Sequence, residues 1–133
     1  MAALTSGRNT PRREPDVESH PMRGGATIYV GALVMIDAAG WAGPGATSAT
    51  LKAVGRAEDT RMSVANGDRH IRVRRGVFRW GNSDGADAIT RADIGNPAYA
   101  VDDQTLAKTS NGGARSAAGI IRDVDAQGVW IAI

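Results

Sequence analysis

The chain has 133 residues, a formal net charge of +2 and no cysteine. That length supports one domain rather than two. The missing thiols exclude a disulfide framework, a thiolate metal site and a cysteine nucleophile. No apolar run approaches the ~20 residues that a membrane helix needs, and no apolar segment of a secretory signal is visible, so neither membrane insertion nor export is expected. Aromatic residues are only 5% of the chain against seventeen glycines, a composition of thin strands and tight turns. Lys52 and Lys108 are the only lysines beside fourteen arginines. An arginine bias suits phosphate recognition, but GC-rich coding raises Arg, Ala and Gly together, and the second explanation is preferred.

Residues 1–26 are polar, carry Pro11, Pro15 and Pro21, and lack apolar periodicity. They predict an extended N-terminal arm, hinged at Gly24-Gly25 and able to span ~80–90 Å when extended. The arm is either a disordered tail or a strap that orders on a neighbour, with Arg8, Arg12, Arg13 and Arg23 meeting an acidic surface. The apolar, β-branched run Thr27–Asp37 is split by Gly31 into a short strand and a second one over Ala32–Ile36. After the turn Ala38-Ala39-Gly40, Trp41-Ala42 begins a return strand that stops at Gly43-Pro44-Gly45. Leu51–Met62 reads as a strand of imperfect alternation, and Asn66-Gly67-Asp68 as a hairpin turn.

His70–Asn82 is the best-patterned stretch. Ile71 and Val73 face one way and Arg72 and Arg74 the other, and the parity slips at Arg75-Gly76. A glycine bulge there would let Ile71, Val73, Phe78 and Trp80 line one core, which predicts a single bent central strand. Thr90–Asp93 has capping-box spacing for one helical turn ended by Gly95. Tyr99–Asp102 and Thr105–Lys108 pair across a turn, and Ser110–Gly113 is a loop. Ala117–Asp123 and Gly128–Ile133 form a last hairpin, with Val129, Ile131 and Ile133 on one face. The expected fold is therefore all-β: residues 27–133 as a small barrel or sandwich of about eight to ten short strands.

The search for chemistry finds little. Neither His20 nor His70 has an acidic neighbour at metal-ligand spacing. Asp102-Asp103 and the Asp123/Asp125 pair sit at strand ends, where acids satisfy backbone donors more often than they bind cations. No phosphate-binding glycine motif leads from a strand into a helix, and no serine has a histidine placed to activate it. No catalytic, cofactor or metal site is expected. Arg72, Arg74 and Arg79 line one strand side. With few aromatics and a balanced charge, a solvated face or a contact to an acidic protein surface is favoured over nucleic-acid binding. Trp41, Trp80 and Trp130 are expected in the core.

Three stretches together carry a resemblance: VRRGVFRWGNS, DAITRADIGNPAYAVDDQTLAKT and GGARSAAGIIRDVDAQGVWI. In that order they resemble the capsid cement or head decoration proteins of Mu-like and related tailed bacteriophages, over roughly residues 27–133. The resemblance implies a β-rich structural protein without enzymatic activity, on the outer capsid surface of the virion and made in the host cytoplasm. It implies a homotrimer at local three-fold positions, with the major capsid protein as partner and neither nucleic acid nor membrane as ligand. The arm matches nothing in that family. The neighbour-binding candidates are Arg8, Arg12, Arg13, Arg23, Thr27, Ile28, Tyr29, Val30, Arg72 and Arg74, with Thr27–Val30 or part of the arm adding to a neighbour's sheet. Competing readings are a neck or tail component, a receptor- or glycan-binding module, and a small hydrolase.

Overall fold

Short apolar runs punctuated by glycine and turn residues make strands, not helices, and the computed structural model, which describes residues 2–133, bears this out. Among the described residues there are twelve strands: β1 (Val17–Pro21), β2 (Thr27–Ile28), β3 (Leu33–Ile36), β4 (Ala42–Pro44), β5 (Lys52–Ala57), β6 (Arg61–Met62), β7 (His70–Arg74), β8 (Val77–Asn82), β9 (Pro97–Ala100), β10 (Thr105–Ala107), β11 (Ala117–Asp125) and β12 (Gly128–Ala132). Single 3-10 turns occupy Gly85–Asp87 and Arg91–Asp93. In the second, Thr90 donates its backbone N–H to the Asp93 carboxylate at 2.8 Å, the reciprocal half of the expected capping box.

The strands divide into two bodies. A five-stranded sheet runs β1-β7-β5-β3-β4, and β10-β8-β12-β11-β9 closes into a barrel. Strands β2 and β6 form a separate ribbon. Each body has its own core. Met22, Ile28, Val34, Ile71 and Val73 are the bulk of the first, while Trp80, Leu106, Ile121, Val129 and Ile131 fill the barrel. Strand β3 serves both through period-two alternation: Leu33 and Met35 join the barrel core, and Ala32 and Val34 join the other. Arg56 on β5 adds a second link, its guanidinium lying 4.3 Å from the Phe78 ring centroid on β8.

Two expectations are corrected. First, the arm does not extend to residue 26. Val17–Pro21 pairs antiparallel with β7, and Met22 is fully buried. Met22 also bridges to Ala42, and Arg23 donates its N–H to the Ala42 carbonyl at 2.8 Å, so this segment joins the two ends of the five-stranded sheet. Burial of a methionine side chain contributes roughly 1.5–3 kcal/mol, which adds to the β1–β7 backbone ladder in holding a strand that looks polar by composition. The arm proper is residues 2–16, exposed throughout.

Second, His70–Asn82 is not one bent strand. It is two strands in two bodies, with Ile71 and Val73 in one core and Trp80, flanked by Phe78, in the other. The parity slip at Arg75-Gly76 is the crossing from one body to the next. Bulges do occur, but elsewhere. One is on β5, where Val54 is the extra residue between the pairs Val34↔Gly55 and Met35↔Ala53. Gly55 there has φ of +150°, and the bulge explains the imperfect alternation of Leu51–Met62. At Gly128 a Cβ would run into the Trp80 carbonyl, and φ is +154°, so the start of β12 needs glycine. The tryptophans also split: Trp80 is core, whereas Trp41 and Trp130 are half-buried.

Candidate functional site

The surfaces that differ from an ordinary solvated β domain are the arm, the β2–β6 ribbon with the cleft beside it, and an apolar row on the barrel. Residues 2–16 form an arm in which every side chain is exposed, Leu4 included at 69%. The arm leads directly into β1, an edge strand. Asp16 accepts from the Arg75 N–H, and Met22 donates to the Arg69 carbonyl. With the β1–β7 register, these bonds fix the alternation: Glu18 and His20 turn their backbone groups inward, and Val17 and Ser19 turn theirs to the open edge. Pro21 falls at an outward position, where its missing N–H leaves no ladder bond unmade. Glu18 anchors the strand through its side chain, 2.8 Å from Arg75 Nε and 2.9 Å from His20 Nε2. The Arg75 guanidinium holds the Glu18 carboxyl below the usual range. A groove of about 490 Å³ runs beside the arm root, between Arg13, Val17 and Ser19 on one side and His70 and Arg72 on the other.

The arginines of β7 are not a free basic stripe. Arg72 meets Asp59 at 3.2 Å, and Arg74 meets Glu58 at 3.0 Å, as Arg56 also does. The Arg56 contact is the main cause of a lowered Glu58 carboxyl, and Arg72 lowers Asp59 in the same way. This face is a laced array of opposite charges, with little surplus to attract a polyanion. Arg79 lies 5.8 Å from the Trp130 ring centroid, and Trp130 donates Nε1–H to Asp125 at 2.9 Å.

The β2–β6 ribbon carries the most exposed apolar side chains of the folded part. Tyr29, Val30, Met62 and Val64 are 63–87% exposed, and all four fall on the two ribbon strands or the residues that continue them. Tyr29 and Val30 form one wall of a cleft of about 420 Å³, with Gly31 and Ala32 at its base and Asp103 and Gln104 opposite. The cleft is built by the backbone: Leu33 donates its N–H to the Asp103 carbonyl at 2.8 Å, and Ala32 donates to the Tyr29 carbonyl at 3.0 Å. Asp102 is consumed by the turn, accepting from the backbone N–H groups of Gln104 and Thr105 at 2.9 and 2.7 Å. The neighbouring Asp103 carboxylate pairs with no donor among the described residues. A second apolar row crosses the outside of the barrel, where register aligns Pro97, Ile120, Ala132 and Val77 across β9, β11, β12 and β8.

Of the residues singled out by sequence, Arg8, Arg12 and Arg13 lie on the arm, and Tyr29 and Val30 on the ribbon and cleft. Arg23 is exposed, its guanidinium packed against Gly43 on β4. Thr27 and Ile28 pair with Met62 and Arg61 in the two-stranded ribbon, and the Ile28 side chain is fully buried. Arg72 and Arg74 are neutralised by acids. Sequence reasoning missed Met62, Val64 and Asp103. The signal for Val64 was an apolar residue beside a turn, and for Asp103 a pair of acids of which only one can cap the turn. No family model, curated protein or solved structure matches this chain.

Proposed function

We propose that the chain is a structural virion protein that binds the outer surface of a phage capsid and stabilises it by bridging adjacent major capsid protein subunits. The observation that carries this reading is the arm: fifteen described residues, all exposed, rooted in an edge strand held by Glu18 and Arg75. A segment whose side chains all stay exposed on its own domain gains buried area by seating on a neighbour. The family resemblance over residues 27–133 points the same way. A bridging protein also needs more than one contact surface, and two separate apolar surfaces, the ribbon with its cleft and the row across the barrel, are available for that purpose. Repeated copies on a closed shell add avidity to contacts that are individually weak.

Incubating the purified full chain with undecorated phage heads tests the proposal, with bound copies per shell measured by sedimentation and imaging. Saturable density at local three-fold positions is the expected result. A closed ring in solution with no shell binding would overturn it in favour of a neck or tail component.

A further inference from the structure

We infer that Asn111 is a site of spontaneous covalent modification, deamidation through its own backbone, and that the fold protects the chain's other Asn-Gly pair, Asn66-Gly67, from the same reaction. The inference goes beyond the structural role proposed above and does not rest on it.

The reaction needs no enzyme. The backbone nitrogen after an asparagine gives up its proton to base and attacks the side-chain amide carbon. The bond from that carbon to the amide nitrogen breaks, and ammonia leaves with a proton from water. Water then opens the resulting succinimide ring at either carbonyl, to aspartate or to isoaspartate. A following glycine permits the attack best, because no Cβ obstructs it. The sequence holds two such pairs, Asn66-Gly67 and Asn111-Gly112. Both asparagines are exposed, so exposure does not separate them. Hydrogen bonding does.

At Asn66 both reacting groups are held. Its Oδ1 accepts the Gly24 N–H at 2.7 Å, and the attacking group, the Gly67 N–H, donates to the Met22 carbonyl at 2.8 Å. Met22 is fully buried, so this turn is fastened to a core. At Asn111 neither group is held: among the described residues its side-chain amide and the Gly112 N–H make no hydrogen bond. Asn111 has a φ of +51°, Gly112 and Gly113 follow at +67° and +89°, and a Cβ on either glycine would meet nothing within 4 Å. The bonds inside this turn are long, 3.3 Å from the Ala114 N–H to the Asn111 carbonyl and 3.4 Å from the Asn111 N–H to Thr109 Oγ1, so little opposes the rotation that brings the amide carbon to the Gly112 nitrogen. The remaining asparagines are disfavoured. Asn82 bonds Ile89 through both amide atoms, Asn96 precedes Pro97, which has no N–H, and Asn9 precedes the β-branched Thr10.

The product carries a new carboxylate, which lowers the formal net charge of +2 by one. The base of the loop is anchored independently, by Arg115 to Asp87 at 2.6 Å and by the Arg115 N–H to the Ser110 carbonyl at 3.0 Å, so the barrel keeps its fold.

The test follows the full chain through prolonged incubation in warm, mildly alkaline buffer, with and without denaturant. Trypsin places the two sites in separate peptides, Thr109–Arg115 and Met62–Arg69, whose conversion is read by mass spectrometry. In the folded chain Asn111 should convert at least about tenfold faster than Asn66, since the latter must first break two hydrogen bonds. Two isomeric acids should appear, with one ammonia released per conversion. In denaturant the two rates should come together. Equal rates in the folded chain, faster conversion at Asn66, or no conversion at Asn111 would each overturn the inference. A gap that persists in denaturant would assign the difference to sequence rather than fold and overturn it as well, and a single acid product would contradict the ring route.

Discussion

The barrel and the five-stranded sheet solve the same problem in different ways. The barrel is made from one continuous stretch, Val77–Ala132, and closes on itself, so no strand edge is left for another chain. The sheet is made from residues 17–74 and is joined end to end only by the thin bridge of Met22 to Ala42. It keeps an open edge on β1, an arm beyond that edge, and an exposed apolar ribbon beside it. The difference teaches where stability and association reside. The barrel seals Trp80, Leu106, Ile121, Val129 and Ile131 inside and shows one apolar row, Pro97, Ile120, Ala132 and Val77, on its outer face. The sheet half carries the surfaces that reach outward.

The strongest way to break this comparison is to attack the two cores in parallel. Met22→Ala in the sheet and Ile131→Ala in the barrel are each expected to cost about 2–5 kcal/mol, measured by chemical denaturation. A negligible cost at Met22 would restore the reading of residues 17–26 as a loose arm. Because β3 contributes to both cores, each variant should still unfold in one transition. Two resolved transitions would mean that the halves are independent domains.

Next in size is Gly128→Ala, which puts a Cβ against the Trp80 carbonyl at a positive φ. About 1–3 kcal/mol is expected, with loss of barrel amide protection before that of the sheet. Equal loss in both halves would blur the distinction drawn here.

Smaller and spread across both halves is the effect of acid. Glu18 and Glu58 in the sheet half, lowered chiefly by Arg75 and Arg56, have counterparts in Asp87 and Asp125 in the barrel half, lowered chiefly by Arg115 and Trp130. A carboxyl depressed in the folded state contributes stability that is full above its unfolded value, near 4, and is lost as pH falls through the folded one. The thermal midpoint should therefore be level near neutrality and fall below about pH 4. Glu18→Gln should flatten part of that fall and speed hydrogen exchange in β1 more than in β12.

The smallest effect on the fold is expected from deleting residues 2–13. Nothing there is buried, so stability should change by no more than about 0.5 kcal/mol. A larger loss would show that the arm packs on its own domain. Deleting residues 1–26 is a different experiment, because it removes β1 and Met22 and damages the sheet itself.

Much of the fold was legible in the chain, and the boundary between its halves was legible in an unexpected form. Strand positions follow from β-branched runs and from turn residues such as Gly31, Gly40, Asn66-Gly67 and Asp102. The parity slip at Arg75-Gly76 was visible, but alternation alone cannot tell a bulge within one strand from a crossing between two sheets. β1 was hidden because its sequence, Val-Glu-Ser-His-Pro, has one apolar residue before the proline, and its place is set by long-range pairing with β7 and by Met22. The arginine face was placed correctly on one side of β7, yet its partners Glu58 and Asp59 come from the segment after β5, a contact that one-dimensional pattern does not carry. For the same reason the cleft was illegible: Tyr29 and Asp103 lie more than seventy positions apart and meet through the bond from Leu33 N–H to the Asp103 carbonyl.

The central claim is that the fold stands without the arm and that association depends on it. The most direct test is saturation binding of the full chain and of the 2–13 deletion to undecorated heads, with thermal midpoints recorded for both. Matched midpoints with occupancy lost in the truncated chain is the predicted result. Equal occupancy for the two proteins would contradict the account.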